Sequence, residues 1–359
     1  MRAWKIGVIA LCLAASAPAC KALERVKGEG TDAGAAGPTG SASGGGKPAT
    51  SSAATATGAS TGAAAAAGAK EAAEIVPRSE RAWGVAVDGD VLYWTSNSDP
   101  IKGIRKGTRA GGSPAMLCKI SDMLAAPEEL FVDDTHVYTL APALGPSAVY
   151  RAAKGTTDKP CEKVATGLGL IRRGITKVGS EVFVAGGKKN GGTIVAIDKA
   201  GKSRTVLDWA KPIDGLATDG TTLFFTSVES LIDQRLMKVA PAGGTPTEIG
   251  KAGIHLQHAL GRLLWVAGPL QSMPVAGGAP VRHGGSMANY TDFEIVGDTV
   301  WVGARTGGPM GNTGAIFRST VTGGDTVEIA KVPKAVVDVA ADAKDVYATG
   351  DGAVYRLAL

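Results

Sequence analysis

Seven times between residues 92 and 347 the chain sets an apolar residue directly before an aromatic one inside a β-rich run. The pairs are Leu92-Tyr93, Val137-Tyr138, Val182-Phe183, Leu223-Phe224, Leu264-Trp265, Val300-Trp301 and Val346-Tyr347. The aromatics lie 45, 45, 41, 41, 36 and 46 residues apart. A period of this length fits one four-stranded sheet per repeat, the blade of a propeller. The pattern predicts an all-β fold, a seven-bladed β-propeller, over residues 71–359.

The punctuation between strands supports this division. Gly84-Val85-Ala86-Val87 runs into Asp88-Gly89, and Gly215-Leu216-Ala217 runs towards Asp219-Gly220. Asp-Gly between two apolar runs marks a hairpin, because Gly tolerates positive φ. Asp88, Asp133, Asp219 and Asp342 each stand five residues before the aromatic of their unit. They recur with the hairpin and not with each other, so they read as turn residues rather than as catalytic or calcium-binding carboxylates. A second turn follows the third strand: Gly111-Gly112-Ser113-Pro114, Gly243-Gly244-Thr245-Pro246, Gly277-Gly278-Ala279-Pro280 and Gly323-Gly324-Asp325. These are not phosphate loops, since no helix follows to present its N-terminus to an anion.

The seventh unit supplies only three strands, around Val336, Val346 and Val354. Glu74-Ile75-Val76 precedes the first unit as Glu328-Ile329-Ala330 precedes the seventh. The N-terminal segment is therefore expected to complete the last blade and pair its otherwise open edge.

Residues 1–19 carry Arg2 and Lys5, an apolar stretch over 6–15 and a small-residue end, as a secretory signal peptide does. That stretch is about half the length a membrane span needs. Ala17-Pro18-Ala19-Cys20 resembles a bacterial lipobox. The resemblance implies a lipid on Cys20, a membrane anchor and, with Lys21 next, sorting to the outer membrane. Ala17-x-Ala19 suits an ordinary signal peptidase equally well, which leaves periplasmic or secreted protein as the alternative. Residues 27–69 are almost entirely Gly, Ala, Ser and Thr with no aromatic, too little apolar area to offset ordering entropy. Residues 20–70 are thus expected to be a disordered tether spanning roughly 35–40 Å. The formal charge is +5, of which Arg2 and Lys5 supply two. So mild a surplus gives no reason to expect nucleic acid as a partner.

Leu92-Tyr93-Trp94-Thr95 with Ile104-Arg105 resembles the YWTD repeat of low-density-lipoprotein-receptor propellers. The chain is also similar to exported bacterial propellers whose blades carry an aromatic strand and a Gly-Gly-x-Pro turn. The likeness covers the folded region as a pattern, and only the first unit has the full Tyr-Trp-Thr. It implies the fold and brings none of the receptor's ligands.

Little in the sequence marks chemistry. The four histidines are His136, His255, His258 and His283. His255 and His258 have a metal-like spacing for a helix, but on a strand residues three apart point to opposite faces. There is no Gly-x-Ser-x-Gly elbow, His-Glu-x-x-His or Walker loop, so no catalytic residue, metal or cofactor is predicted. Cys118 and Cys161 are the two cysteines of the folded part. Export permits a disulfide. Aligning Pro114 with Pro160, however, sets them three residues out of register on outer strands that splay apart, and the pairing stays open.

Because strand direction alternates, the tight turns should gather at one end of the ring and the longer connections at the other. Those connections are residues 96–102, 121–129, 166–173, 186–192, 227–234, 285–291 and 305–314. Variable loops on a rigid scaffold usually carry binding residues. Arg172, Arg173, Lys188 and Lys189 fall in neighbouring connections and are candidates for a cationic patch or for ordinary solvated charge. Trp209 and Tyr290 read as loop aromatics of the same face, either for a ligand or packed on a blade end. The expected function is non-catalytic binding or scaffolding in the cell envelope, with an envelope protein or glycan as partner. The alternative is a propeller enzyme, such as a lyase, hydrolase or quinone-cofactor dehydrogenase, with residues drawn from separate blades.

Overall fold

The computed structural model describes residues 69–122, 125–142, 147–168, 174–188, 191–230, 233–284, 289–307 and 311–359. The expected signal peptide, Cys20 and the expected tether up to residue 68 lie outside the described residues. No helix among the described residues is long and apolar enough to cross a membrane.

The described residues form seven sheets in a ring, each with four antiparallel strands, a seven-bladed β-propeller. In blade 1 the strands from the channel outward are Ala82–Asp88, Val91–Ser96, Gly103–Thr108 and Ala115–Lys119. All seven repeat aromatics lie on the second strand of their blade and are buried, from Phe183 and Tyr347 at 0% exposure to Trp301 at 6%. Both faces of such a strand meet a neighbouring blade, so it reads as a continuous apolar run, like Leu92-Tyr93-Trp94, rather than as an alternation. The core accordingly lies between blades. One cluster joins Val85, Leu92 and Trp94 of blade 1 to Ala340, Tyr347 and Val354 of blade 7.

Blade 7 consists of Asp338–Ala341, Asp345–Gly350 and Ala353–Ala358, with Ala73–Val76 as its outer strand. Ala73 pairs with Arg356, Glu74 with Tyr355 and Val76 with Val354, closing the ring as the repeat count required. The closure extends further than expected. Lys70–Glu71 adds in parallel to the outer strand of blade 6, with Lys70 opposite Ala330, so the N-terminal clasp spans two blades. Lys70, which composition placed in the tether, is already strand. Where the clasp crosses the outer turn of blade 1, Gly111 has φ +80, and a Cβ there would lie 2.0 Å from the carbonyl oxygen of Ile75. Only glycine lets the two backbones meet this closely.

Cys118 and Cys161 are joined by a disulfide with Cα atoms 4.9 Å apart. The register argument against pairing assumed that Cys161 sits on the outer strand of blade 2. It sits just before that strand, on a short crossing segment. Lys159–Pro160 lies parallel to the outer strand of blade 1, Lys159 opposite Cys118 and Pro160 opposite Lys119. The N–H of Cys161 donates to the Lys119 carbonyl at 2.8 Å. The bond therefore clamps two neighbouring blades at their rims.

Candidate binding face

The tight turns and the longer connections do separate to opposite ends of the ring, and the two ends use their polar residues differently. On the turn face the repeat aspartates organise hairpins. Asp133 accepts the N–H groups of Thr135 and His136, and Asp219 those of Thr221 and Thr222, at 2.7–2.8 Å. Two of them, Asp88 and Asp342, and their neighbours Asp134 and Asp345 also tie blades together. Lys154 of blade 2 reaches Asp88 of blade 1 at 2.6 Å, and Lys177 of blade 3 reaches Asp134 of blade 2 at 2.8 Å. Arg109 of blade 1 bridges Asp342 and Asp345 of blade 7, and Arg356 meets the far oxygen of Asp345 at 2.8 Å. Hydrogen bonding from Arg109, partly opposed by burial, holds the Asp342 carboxyl down to about 2. Tyr347, beside this cluster, is pushed up to about 12, chiefly by burial.

The inner strands surround a central channel with a cavity of about 340 Å³, to which Glu129, Thr176, Thr218, Gln257, His258 and Glu294 bring polar groups. At the channel end nearer the longer connections, carboxylates serve as ties between blades. Glu129 accepts the N–H of Gly174 at 3.1 Å, Asp292 that of Val339 at 2.8 Å and Asp338 that of Val85 at 2.8 Å. Each bond runs from the inner strand of one blade to the next. Gln257 extends the series by donating to the Phe293 carbonyl at 2.6 Å.

The histidines do not converge. His255 is buried against Asp292 of blade 6, with Nδ1 3.5 Å from a carboxylate oxygen. His258 lines the channel and feels Asp219 of blade 4, burial holding its imidazole below the usual range. His283 is fully buried between the hydroxyls of Ser272 and Ser319, and burial lowers it to about 4. Among the described residues no group of His, Cys, Asp or Glu has the geometry to hold a metal ion.

Of the cationic candidates, Arg172, Arg173 and Lys189 lie outside the described residues, and Lys188 ends the second strand of blade 3. Trp209 and Tyr290 are strand residues rather than loop aromatics. Trp209 closes the outer strand of blade 3, donates through Nε1 to Ser227 of blade 4 at 2.8 Å and packs edge-on against Phe225. Tyr290, 6% exposed on the inner strand of blade 6, shares a hydrogen bond with Thr326 at 2.8 Å and packs edge-on against Phe317. Both fill gaps at blade ends because an amphipathic ring can bury its body while its polar atom finds a partner.

The seam between blades 7 and 1 carries no motif that marks it in the sequence. The clasp leaves its strand over Pro77 and a single 3-10 turn, Arg78–Glu80, and re-enters at Arg81 in a left-handed conformation with φ 48. Trp83 follows on the inner strand of blade 1 and is 36% exposed. Its carbonyl accepts the Thr349 hydroxyl at 2.6 Å. Ala82 bridges to Gly352 in the short connection of blade 7. Asp351 beside it meets Arg78 at 3.0 Å and Lys334 at 3.7 Å. Arg81 has no ion-pair partner among the described residues.

Fold and geometry together define a closed seven-bladed propeller whose blades are cross-tied at the channel and at the turns. No family model and no curated protein sequence matches the chain. Solved structures match it at the level of fold. The computationally designed Ika8 protein is 13% identical, with 81% of this chain and all of that one aligned at a TM-score of 0.52. A chain of the mitotic checkpoint complex is 12% identical over 80% of this chain and 92% of its own, at 0.54. A puromycin hydrolase is 12% identical over 80% of this chain and 55% of its own, also at 0.54.

Proposed function

We propose that this chain is a non-catalytic binding or scaffold propeller of the cell envelope, held to a membrane by a lipid on Cys20. It presents its long-connection face to an envelope protein or glycan. The observation that carries the binding reading is what the carboxylates at the channel mouth do. Glu129, Asp292 and Asp338 each hold a backbone N–H of the following blade. Groups so engaged fix the scaffold and are poorly placed to take up and release protons through a reaction cycle. The rim disulfide supports export, since such bonds persist in oxidising compartments.

Two measurements test this reading. Metabolic labelling with a palmitate analogue should mark the wild type and not Cys20→Ser; an unlabelled wild type in soluble extract would mean plain secretion. Capture from envelope extract should fail for a variant with Arg172, Arg173, Lys188 and Lys189 changed to Ser. It should persist for Asp88→Asn/Asp133→Asn/Asp219→Asn on the turn face. Loss confined to the folded turn-face variant would assign binding to the wrong end of the ring.

A further inference from the structure

We infer that the seam between blades 7 and 1 is a binding site for an anionic sugar, a uronate or similarly acidic residue of an envelope polysaccharide. Trp83 would stack on the sugar ring and Arg81 would pair with its carboxylate. The inference deepens the glycan alternative of the proposed function and rests on that reading.

Three observations meet at this place. First, Trp83 is exposed beside a short connection. Only residues 351–352 connect the second and third strands of blade 7, against 97–102 in blade 1. An exposed Trp beside a short wall offers a flat apolar face with a donor at its edge, which suits a pyranose ring. Second, the charge around it is unbalanced. Arg78 and Lys334 share one carboxylate, that of Asp351, and Arg81 pairs with none among the described residues, so these four side chains leave a local surplus of two positive charges. This patch is held together by Arg78 and Lys334, which both reach Asp351, and by the Ala82 N–H, which donates to the Gly352 carbonyl at 2.8 Å. Third, Arg81 sits at φ 48, a left-handed conformation that costs a non-glycine residue roughly 1–2 kcal/mol. Gly and Asn adopt that geometry more readily, so an arginine there with no ion-pair partner among the described residues points to a use for its guanidinium.

The partner fitting this patch is small. One aromatic and three cations fall well short of the roughly 800 Å² per partner that a stable protein interface needs, whereas one ring and one charge suffice for a sugar acid. Charge complementarity selects an acidic sugar over a neutral one, and the guanidinium fork suits a carboxylate.

The test uses the purified full chain and a galacturonate hexamer, titrated by calorimetry at low and high salt, with maltohexaose as the neutral control. The wild type should bind the hexamer, lose affinity as salt rises and ignore maltohexaose. Trp83→Ala and Arg81→Gln should each weaken binding by about tenfold or more. Asp351→Asn leaves Arg78 and Lys334 uncompensated and should tighten binding by severalfold. That sign is one a merely structural role would not produce. Thermal unfolding of each variant confirms that the ring stays closed.

No binding of the hexamer by the wild type, or unchanged affinity in both Trp83→Ala and Arg81→Gln, would overturn the inference. Hexamer binding lost in the Arg172, Arg173, Lys188 and Lys189 variant but kept in these two would also overturn it, while leaving the long-connection face intact as the site of function. Equal binding of maltohexaose would overturn the acidic-sugar assignment.

Discussion

On the turn face Arg109, Lys154 and Lys177 each reach an aspartate of the preceding blade, while at the blade 7 to blade 1 seam of the opposite face Arg81 lies exposed beside Trp83. The same ring thus treats cations in two ways. At the turns a cation bridges blades, because a tight hairpin brings a side chain of one blade over the hairpin of its neighbour. At the seam the chain has just left the clasp, the facing connection is short, and the side chains project past the blades. Structural charge can be recognised by its partner on the adjacent blade, and charge without that partner marks where something else can bind.

The largest effect sharpening this contrast comes from removing the clasp, on which both faces depend. A chain beginning at residue 69 should match the full chain in stability. One beginning at residue 77 should lose at least about 4 kcal/mol, because Ala72, Ile75 and Val76 no longer cover blades 6 and 7. Urea unfolding distinguishes the two, and equal stability would show that the ring closes without its N-terminal strand.

Next is Arg109→Ala, which leaves the 1% exposed carboxylate of Asp345 with Arg356 alone and Asp342 without its cation. Stability should fall by roughly 3 kcal/mol in the same assay. Hexamer affinity should not change. A loss below about 0.5 kcal/mol would put this network with ordinary surface ion pairs.

The pH dependence separates that network from the rim. His283 is held at about 4, below the usual imidazole value of 6.5, so the fold favours its neutral form. Its contribution is full above about pH 6.5 and is lost as pH falls towards 4, by at most about 3 kcal/mol. Asp342 is held at about 2 against a usual 3.8. Its contribution is full above about pH 4 and is lost as pH falls towards 2, by about 1–2 kcal/mol once its 30% exposure is allowed for. Arg109→Ala should make the lower window shallower, since the lowered carboxyls of Asp133, Asp219 and Asp345 also contribute to it, and leave the upper one, as followed by stability measured from pH 8 to 2. A lower window of unchanged depth would remove the Arg109–Asp342 pair from the account.

The smallest effect has the opposite sign. Arg81→Gly relieves the left-handed strain but frees the unfolded chain, so stability should rise by only about 0.5–1 kcal/mol. The hexamer should bind more weakly. Gain of stability with loss of binding is what a strained functional residue gives, and a loss of both would make Arg81 a structural cap.

The ring, its blade count and the use of Glu74-Ile75-Val76 were legible because each repeats a pattern: an aromatic on a strand buried on both faces, and an outer-strand motif displaced by one turn of the ring. Features that join two blades were not. Lys70–Glu71 and Lys159–Pro160 are two-residue strands, too short for any periodicity, and the second is what brings Cys118 and Cys161 together. Asp292, Asp338 and Glu129 look like scattered acids until the ring register sets each opposite an N–H of the next blade. Trp209 and Tyr290 were misplaced because each sits at the end of a strand, the outer one of blade 3 closing at Trp209 and the inner one of blade 6 opening at Asn289. Trp83 went unremarked because an aromatic at the start of an inner strand looks like core. Its neighbour across the seam is a connection some 270 residues away in the chain, bridged through Ala82 and Gly352.

The claim that binding belongs to the long-connection face, and at this seam to Trp83, is tested most directly by hexamer affinity in Trp83→Ala against Lys154→Ser. Each removes one exposed or half-buried group from one end of the ring, and both should leave the fold intact. The account predicts a drop of about tenfold or more for Trp83→Ala and an unchanged affinity for Lys154→Ser. Unchanged binding in Trp83→Ala with a loss in Lys154→Ser would contradict it.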